Sequence, residues 1–367
     1  MLASLGGCAV RPVTPAPPRL VETRFADLVG WTKNDPRPGL SAFLLSCAAF
    51  AADGHIGGAG YAGAVEYWLP VCERANILSE AGVADIRKFF EAEFVPYRVL
   101  ASGDGLFTGY YEPEVRGSRT RHDAFQTPLY GLPSDLGVSS GYATRAKIVR
   151  SGLAKAETLV YIDDPVDAFF LQVQGSGRVV LDDGSVMRLA YAGQNGQPYT
   201  PIGAVLIDMG EMTRDTVSAP AIRAWLAAHP DQIEDLLDKN ASYVFFSLQP
   251  LGDPNLGANG TEGVPLTPGA SLAVDAAAHP LGVPLWLETT VPDPNASLPN
   301  QGFDRLMVAQ DTGGAIKGAA RGDIYWGFGP EAGAIAGRMR SPGRLTVLLP
   351  KSVAARLGPG ALLPGVR

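Results

Sequence analysis

Glycine and proline constrain this chain more than any other feature of its sequence. The 367 residues include 44 glycines and 30 prolines, about a fifth of the chain, with no repeating period. Proline breaks helix interiors, and glycine adopts the positive φ angles of tight turns. This composition favours many short strands joined by turns over a helical bundle. The sequence therefore predicts a mostly β fold, accompanied by several helices.

The overall composition excludes several classes of protein. Apolar residues make up 46% of the chain and charged residues 18%, which is too apolar for a disordered protein. The length suggests two domains, or three. Lysine and arginine total 30 against 37 aspartates and glutamates, so the net charge is −7. The chain lacks the global positive field that attracts nucleic acid, and an anionic partner must be bound locally.

The amino terminus resembles the end of a lipid-anchoring signal. Residues 5–8 read Leu-Gly-Gly-Cys, the type of sequence at which bacterial lipoprotein signals are cut and the cysteine is acylated. The apolar run before it is too short for a signal, so a truncated signal and a chance match both stay open. Four prolines between residues 11 and 20 predict a stiff tether. We expect residues 1–20 to be signal and tether, with Cys8 as the lipid site of a periplasmic, outer-membrane lipoprotein.

The other two cysteines, Cys47 and Cys72, leave two interpretations open. They can form a disulfide in an oxidising periplasm, or lie as two buried thiols on neighbouring helices. With no Cys-x-x-Cys pair and only four scattered histidines, the sequence predicts no cysteine-ligated metal site. No run of 18 uncharged apolar residues occurs, which predicts that no segment spans a membrane.

Hydrophobic periodicity divides the chain into helical and extended parts. Apolar residues recur at helical spacing from Leu40 to Cys47 and from Ile86 to Phe94. Pro220 and Pro230 each mark the start of a helix. From residue 100 the pattern shifts towards alternation and turns. Strands are expected within LVYIDDPVDAFFLQVQGSGRVVLDDGSVMRLAYAG, with a hairpin turn at Asp182-Asp183-Gly184, and at YVFFSL, LWLETTVP, RLMVAQD and RLTVLLP.

Several phrases of the sequence together resemble one family. They are FTGYYEPEVRGSRTR, DAFFLQVQGSG, YAGQNGQPYTPIG, NASYVFF, VPLTPGASLAVD and QDTGGAIKGAARGDIYWGFGPEAGAIAGRM, in this order within residues 20–350. They are similar to phrases of the lytic murein transglycosylase A family (MltA), bacterial lipoproteins that cleave the glycan strands of peptidoglycan. The Asp311-Thr312-Gly313 triplet, by contrast, lacks the second copy that a pepsin-like aspartic protease needs.

The resemblance implies a double-psi β-barrel domain made of residues 21–112 and 251–367, with a second β-rich domain inserted at residues 113–250. It places the glycan in the groove where the two domains meet. It also implies that Asp323, in the Asp-Ile-Tyr sequence, is the catalytic residue, that Asp311 supports it and that Thr108 lines the groove. No metal or other cofactor is implied, and peptidoglycan glycan strands are the expected partner.

The neighbours of Asp323 also suit a catalytic acid. Cleavage of a β-1,4 glycosidic bond needs a proton for the leaving oxygen, and a carboxylic acid with a raised pKa is the usual donor. Ile324, Tyr325 and Trp326 would desolvate Asp323 and favour its protonated form. In a transglycosylase, the 6-hydroxyl of the muramic acid attacks C1 of its own ring and forms 1,6-anhydromuramic acid. One aspartate can then act first as acid and afterwards as base.

Other residues have the chemistry to bind a sugar chain. Aromatic rings cover the apolar face of a pyranose, and amides bind its N-acetyl groups. Gln172 and Gln174 alternate as on one face of a strand, and we expect them to point together into the groove. Lys317 and Arg321 are expected to meet carboxylates of peptidoglycan. The candidate substrate-binding residues are Thr108, Tyr110, Gln172, Gln174, Lys317, Tyr325 and Trp326.

Two other functions stay open at this point. Double-psi barrels also occur in cell-wall proteins that bind glycan without cutting it, although the retained Asp323 disfavours this. A hydrolase in which Asp311 and Asp323 act as a pair would release reducing ends instead of anhydro products.

Overall fold

A computed structural model describes residues 18–54, 56, 60–101, 105–137, 142–294 and 297–357. Cys8 and nearly all of the predicted signal and tether lie outside the described residues. Within these ranges, none of the helices has the length and apolarity needed to cross a membrane.

The described strands form two sheets. The strands are β1 (Arg19–Glu22), β2 (Phe94–Leu100), β3 (Gly105–Glu112), β4 (Glu114–Ser118), β5 (Thr127–Tyr130), β6 (Thr158–Ile162), β7 (Gly177–Leu181), β8 (Val186–Gln194), β9 (Val244–Gln249), β10 (Ser271–Val274), β11 (Pro284–Val291), β12 (Gln301–Thr312), β13 (Arg321–Phe328) and β14 (Arg340–Pro350).

Helices lie on both sheets and between their strands. They are α1 (Arg37–Asp53), α2 (Leu69–Asn76), α3 (Val83–Glu93), α4 (Arg145–Ser151), α5 (Pro165–Gln174), α6 (Ile202–Asp208), α7 (Ala219–Ala228), α8 (Ile233–Leu237), α9 (Gly329–Ala336) and α10 (Lys351–Ala354).

The first sheet closes into a six-stranded barrel. Its strands follow the order β3-β13-β10-β12-β11-β14, and β14 pairs again with β3 to complete the ring. Two of these pairings are parallel, β10 with β12 and β13 with β3, whereas the other pairings in the ring are antiparallel. β1 and β2 extend the sheet from β14. Strands from both ends of the chain thus build one barrel.

The second sheet is formed by the chain between β3 and β10. Its order is β5-β6-β4-β7-β8-β9, and β5 and β9 approach each other so that this sheet is also nearly closed. β7 and β8 are joined by the predicted hairpin turn, in which Gly184 has a φ of 81°. The predicted fold class, mostly β with a double-psi β-barrel and an inserted β-rich domain, is confirmed.

The barrel is covered by the amino-terminal helices, and this explains its apolar strands. In β11, Leu285 and Leu287 lie in the core, and Trp286 on the other face packs against Trp31. Because both faces are buried, the strand is nearly continuously apolar rather than alternating. Cys47 of α1 and Cys72 of α2 form a disulfide, which decides between the two interpretations left open by the sequence.

The structure corrects the predicted strand that contains Gln172 and Gln174. This segment is α5: the side chain of Asp164 accepts a hydrogen bond from Val166 N at 2.8 Å, and Gly175, with a φ of 84°, ends the helix. Several successive apolar residues of α5 are buried, so the run resembles a buried strand in its composition alone. The capping aspartate and the proline after it were the signals that favoured a helix.

Candidate active site

Four residues from neighbouring strands form a row across the barrel wall. Thr108 of β3, Asp323 of β13, Ala273 of β10 and Asp311 of β12 are successive register partners. Two strand spacings separate the aspartates, so their Cα atoms lie about 10 Å apart. The small side chain of Ala273 lies between them. The tertiary structure thus brings together three of the predicted site residues.

A β-bulge decides that Asp311 belongs to this row. The register of β10 and β12 shifts between Leu272 and Ala273, so that Ala273 lies opposite Asp311 rather than Gln310. A shift of one residue exchanges the two faces of a strand, and bulges are common beside active sites. Gln310 is accordingly fully buried, whereas Asp311 is partly exposed.

Asp323 accepts a short hydrogen bond and lies in desolvated surroundings. Thr108 Oγ1 donates to Asp323 Oδ1 at 2.6 Å, and Arg321 Nη2 donates to Thr108 Oγ1 at 2.8 Å. Burial raises the pKa of Asp323 to about 6. The Thr108 hydrogen bond and the positive charge of Arg321 oppose this rise, and the charge of Asp311 adds to it. Near pH 6, Asp323 is therefore able both to donate and to accept a proton.

The carboxylate of Asp311, unlike that of Asp323, accepts several hydrogen bonds. Its Oδ1 accepts from Thr261 N at 3.0 Å, Thr261 Oγ1 at 2.9 Å and Thr312 N at 2.9 Å, and its Oδ2 accepts from Tyr110 Oη at 2.8 Å. Burial, with the charge of Asp311 adding to it, raises the pKa of Tyr110 well above its usual value, so this hydroxyl stays a donor. Four hydrogen-bond donors thus converge on the carboxylate of Asp311.

Thr261 reaches Asp311 because a glycine-rich loop lies against the barrel. A Cβ atom on Gly260 would come within 2.5 Å of the backbone oxygen of Gln310, and one on Gly257 would clash with the ring of Tyr325. Glycine is therefore needed at both positions for the close approach. The sequence analysis did not identify Thr261, because it is 50 residues from Asp311 and carries no local signal.

The buried side of β12 is anchored to α1. Gln310 Nε2 donates to Ser46 Oγ at 3.0 Å, and Ser46 Oγ donates to Glu262 Oε2 at 2.8 Å. Burial raises the pKa of Glu262 to about 7, which favours its neutral form in this apolar site. Gln310 precedes Asp311 in the chain, and Glu262 follows Thr261. This network therefore holds the backbone on both sides of the contact between Thr261 and Asp311.

Comparisons with known proteins agree with this architecture. The MltA specific insert domain matches residues 106–247, and the 3D domain matches residues 270–349. Membrane-bound lytic murein transglycosylase A of Escherichia coli K12 is 41% identical over 67% of this chain and 66% of that protein, and the Vibrio cholerae protein of the same name is 33% identical over 78% and 77%.

Solved structures give the same result. A membrane-bound lytic murein transglycosylase from Agrobacterium tumefaciens superposes with a TM-score of 0.79, at 33% identity over 92% of this chain and 99% of that one. The E. coli MltA structure with bound chitohexaose superposes with a TM-score of 0.72, at 32% identity over 90% and 94%. This chain belongs to the MltA family. The resemblance noted in the sequence is confirmed.

Within this MltA fold, the predicted aromatic residues take different positions. Tyr110 is partly exposed and packs against the ring of Tyr325, which is only 1% exposed. Tyr325 therefore supports Tyr110 from the interior and has no surface to offer a sugar. Trp326 is half-buried against Phe303, and it reaches β3 because Gly109 has no side chain.

The two glutamines are not brought together. Gln172 is buried in the inserted domain, whereas Gln174 ends α5, where its Oε1 accepts from Tyr111 N at 3.3 Å. Gln174 lines a cavity of about 460 Å³ between the inserted domain and the barrel. Among the described residues, neither aspartate of the site lines this cavity. The expectation that both glutamines share one groove face is wrong, because residues two apart on a helix point in nearly opposite directions.

The two basic residues that were expected to meet substrate carboxylates lie in different surroundings. Lys317 is exposed on the loop between β12 and β13, whereas Arg321 is half-buried and donates to Thr108. In the described ranges, no group of three or more His, Cys, Asp or Glu side chains has the arrangement of a metal site.

Proposed function

We propose that this chain cleaves the β-1,4 bond between N-acetylmuramic acid and N-acetylglucosamine in peptidoglycan and forms 1,6-anhydromuramic acid, with Asp323 as the single acid and base. The observation that carries the proposal is the contrast at the site. One carboxyl group, Asp323, has a pKa raised to about 6, and Asp311, the carboxylate whose charge acts on it in the described part of the chain, accepts from four donors.

The reaction needs two proton transfers at one residue. Asp323 first donates its proton to the glycosidic oxygen as the bond from that oxygen to C1 breaks and positive charge develops on the sugar ring. The resulting carboxylate then accepts the proton of the 6-hydroxyl as its oxygen bonds to C1. Asp323 ends protonated, so the enzyme is ready for another turnover without water or a cofactor.

Asp311 supports this reaction without taking a proton. Its fixed negative charge raises the pKa of Asp323 and favours the developing positive charge of the sugar ring. Its oxygens already accept from Thr261, Thr312 and Tyr110. Oδ1 accepts three of these hydrogen bonds and Oδ2 accepts one, so a nucleophile or general base at this position would have only the remaining lone pair of Oδ2. The geometry therefore supports a transglycosylase better than a hydrolase with two carboxylates.

The glycan strand is proposed to lie along the exposed side of the row. Thr108 and Tyr110 border Asp323, and the exposed Lys317 is able to meet a carboxylate of the muramic acid or its peptide. The E. coli relative solved with chitohexaose supports an oligosaccharide as the ligand of this fold. Tyr325 contributes by supporting Tyr110 rather than by contacting sugar, and the buried Gln172 has no surface to offer a sugar.

The predicted organisation of the chain is part of the same proposal. Strands of the barrel end at Glu112 and resume at Ser271, and those of the second sheet run from Glu114 to Gln249. These limits support a barrel domain of residues 21–112 and 251–367 and an inserted domain of residues 113–250. We expect that a protease cut near residue 250 releases neither fragment, because strands from the chain segments on both sides of the cut close the barrel.

The relatives are named membrane-bound, which supports an anchored, periplasmic enzyme. We propose Cys8 as the site of a lipid that holds it at the outer membrane. Expression from a gene extended upstream, followed by labelling with a fatty-acid probe, tests this. Cys8→Ala should abolish labelling and leave the enzyme in the soluble periplasmic fraction. Equal labelling of both proteins would contradict the assignment.

One assay separates the candidate functions. Purified enzyme is incubated with sacculi and the soluble products are analysed by mass spectrometry. Anhydro-muropeptides support the transglycosylase, reducing ends indicate a hydrolase, and absence of soluble product indicates a binding protein. Asp323→Asn is the matched control, because the amide keeps the shape of the side chain but cannot transfer the proton.

A further inference from the structure

Arg321 makes contacts inside the protein rather than facing the substrate. It precedes Asp323 by two residues on β13, so the two side chains leave the strand on the same face. Its Nη2 donates to Thr108 Oγ1 at 2.8 Å, and its Nη1 donates to the carbonyl oxygens of Leu106, at 3.3 Å, and of Gly322. These acceptors hold the guanidinium group along the edge shared by β3 and β13.

The contact with Arg321 sets the direction of the next hydrogen bond. A guanidinium group has donors only, so the Thr108 oxygen accepts from it. The single hydroxyl hydrogen of Thr108 then points to Asp323 Oδ1, 2.6 Å away, which is the one carboxylate within its reach among the described residues. If Asp323 carried its proton on Oδ1, the Thr108 hydrogen would need a different acceptor, and no described contact supplies one. The exchangeable proton therefore belongs on Oδ2.

We propose that Arg321 is a positioning residue that acts through Thr108: it orients the Thr108 hydroxyl towards Oδ1 of Asp323, so that Oδ2 alone exchanges the proton with the substrate. This inference rests on the proposed role of Asp323. An acid that must act twice in one turnover benefits from a fixed proton position, since the glycosidic oxygen and the 6-hydroxyl are then both served by the same oxygen atom.

The same contacts influence the proton affinity of Asp323. The Thr108 hydrogen bond and the charge of Arg321 both lower its pKa, and the charge of Asp311 on β12 raises it. Tyr110 of β3 faces the site as a neutral donor, and the exposed Arg340 of β14 is the register partner of Thr108. Loss of either Arg321 or Thr108 should raise the pKa of Asp323.

A double-mutant cycle tests the proposal on glycan strands from which the peptides have been removed. Arg321→Met and Thr108→Val should each lower kcat about tenfold, the size of one charge-assisted hydrogen bond. The double variant should be no slower than the slower single variant, because Arg321 acts through Thr108. In all three, the alkaline limb of the pH profile of kcat/KM should move to higher pH.

Two further variants complete the design. Arg305→Met removes another half-buried arginine of the barrel, one that lies over the ring of Phe303, and should keep the wild-type rate and pH profile. Arg321→Lys keeps the charge and should return the alkaline limb towards the wild-type position. Should Arg321→Met unfold, Arg321→Gln, which removes the charge and is too short to reach Thr108, is combined with Thr108→Val in the same cycle.

Several results would overturn the inference. Losses that multiply in the double variant would show that Arg321 acts independently of Thr108. An unchanged kcat with a higher KM, confined to peptide-bearing peptidoglycan, would mean that Arg321 binds a substrate carboxylate. Activity of Asp323→Asn is measured in parallel. If that variant is inactive while the cycle is multiplicative, only the role of Arg321 fails; if it is active, the proposed catalytic residue fails as well.

Discussion

The surroundings of the two aspartates differ although they lie in one row of the same barrel wall. Around Asp323 the described structure places one hydroxyl donor and apolar neighbours, and burial raises its pKa to about 6. Around Asp311 it places four donors from the glycine-rich loop, its own strand and Tyr110. Identical side chains two strands apart are thereby placed in different surroundings, which supports the proposal that one carries a proton and the other acts as a fixed charge.

The difference arises from which elements cover each residue. Residues 257–261 fold over Asp311 and deliver backbone and hydroxyl donors, whereas Asp323 lies between Thr108 of β3 and Ala273 of β10 and accepts from Thr108. Desolvation without donors raises a carboxyl pKa, and donors favour the charged form. Substitution of each aspartate by asparagine should therefore affect activity, its pH dependence and stability differently.

The largest effect is expected for Asp323→Asn. Cleavage of sacculi should fall by about a hundredfold to ten-thousandfold or more, because one residue serves both proton transfers. Binding of glycan strands and the circular dichroism spectrum should be unchanged. Near-native release of anhydro-muropeptides by this variant would refute the assignment.

Asp311→Asn should have a smaller effect. The amide cannot accept from all of the donors that face Asp311, and we expect a loss of activity of about tenfold to a hundredfold through misplacement of the site. The product should still be the anhydro sugar. A loss equal to that of Asp323→Asn, together with a change of the products to reducing ends, would instead identify a hydrolase with paired carboxylates.

The pH profile distinguishes the aspartates as well. Since the first step needs protonated Asp323, kcat/KM on peptide-free glycan should fall about tenfold per pH unit above pH 6. The charge of Asp311 raises the pKa of Asp323, so Asp311→Asn should move this limb to lower pH. A limb that moves to higher pH, or does not move, would show that the two carboxyl groups do not interact as described.

The smallest effects concern stability. The folded pKa of Asp323, about 6, lies above its ordinary value of 3.8. Below pH 3.8 both states carry the proton; as pH rises through 6, the folded state loses up to about 3 kcal/mol relative to the unfolded chain. Asp323→Asn, which has no proton to lose, should therefore be more stable than wild type at pH 7.5 and equal to it at pH 3.5.

Asp311→Asn provides the opposite case. Its loss of buried hydrogen bonds should cost about 1–3 kcal/mol at pH 7.5. Urea unfolding at the two pH values measures both variants against the wild type. A lower stability of Asp323→Asn at pH 7.5 would contradict the desolvation described for Asp323.

Local sequence patterns predicted most of the fold. The strands at LWLETTVP, RLMVAQD and RLTVLLP correspond to β11, β12 and β14, and the helices at Leu40 and Ile86 correspond to α1 and α3. The error at α5 occurred where a run of apolar residues is buried on several sides, because composition then no longer distinguishes helix from strand. In such a run, the capping residues Asp164 and Pro165 at the start of α5 distinguish a helix from a strand.

The proposed site was predicted less completely. Asp323, Asp311 and Thr108 were all expected from the family resemblance, and the structure places them in one row. Thr261 was missed and Arg321 was expected to bind substrate. Both make contacts that join residues 50 to 213 positions apart in the chain, which no local pattern records.

The sequence by itself determined the mostly β composition and the family, and it made Asp323 the candidate acid, because turn residues, strand runs and the Asp-Ile-Tyr phrase are local properties. Only the tertiary structure decided how the surroundings of the two carboxyl groups differ. That difference depends on a one-residue bulge at Ala273, on a loop that donates to Asp311 and on burial that raises the pKa of Asp323. A pKa is set by the atoms that surround a group in space, and closing the barrel brings these atoms together from distant parts of the chain.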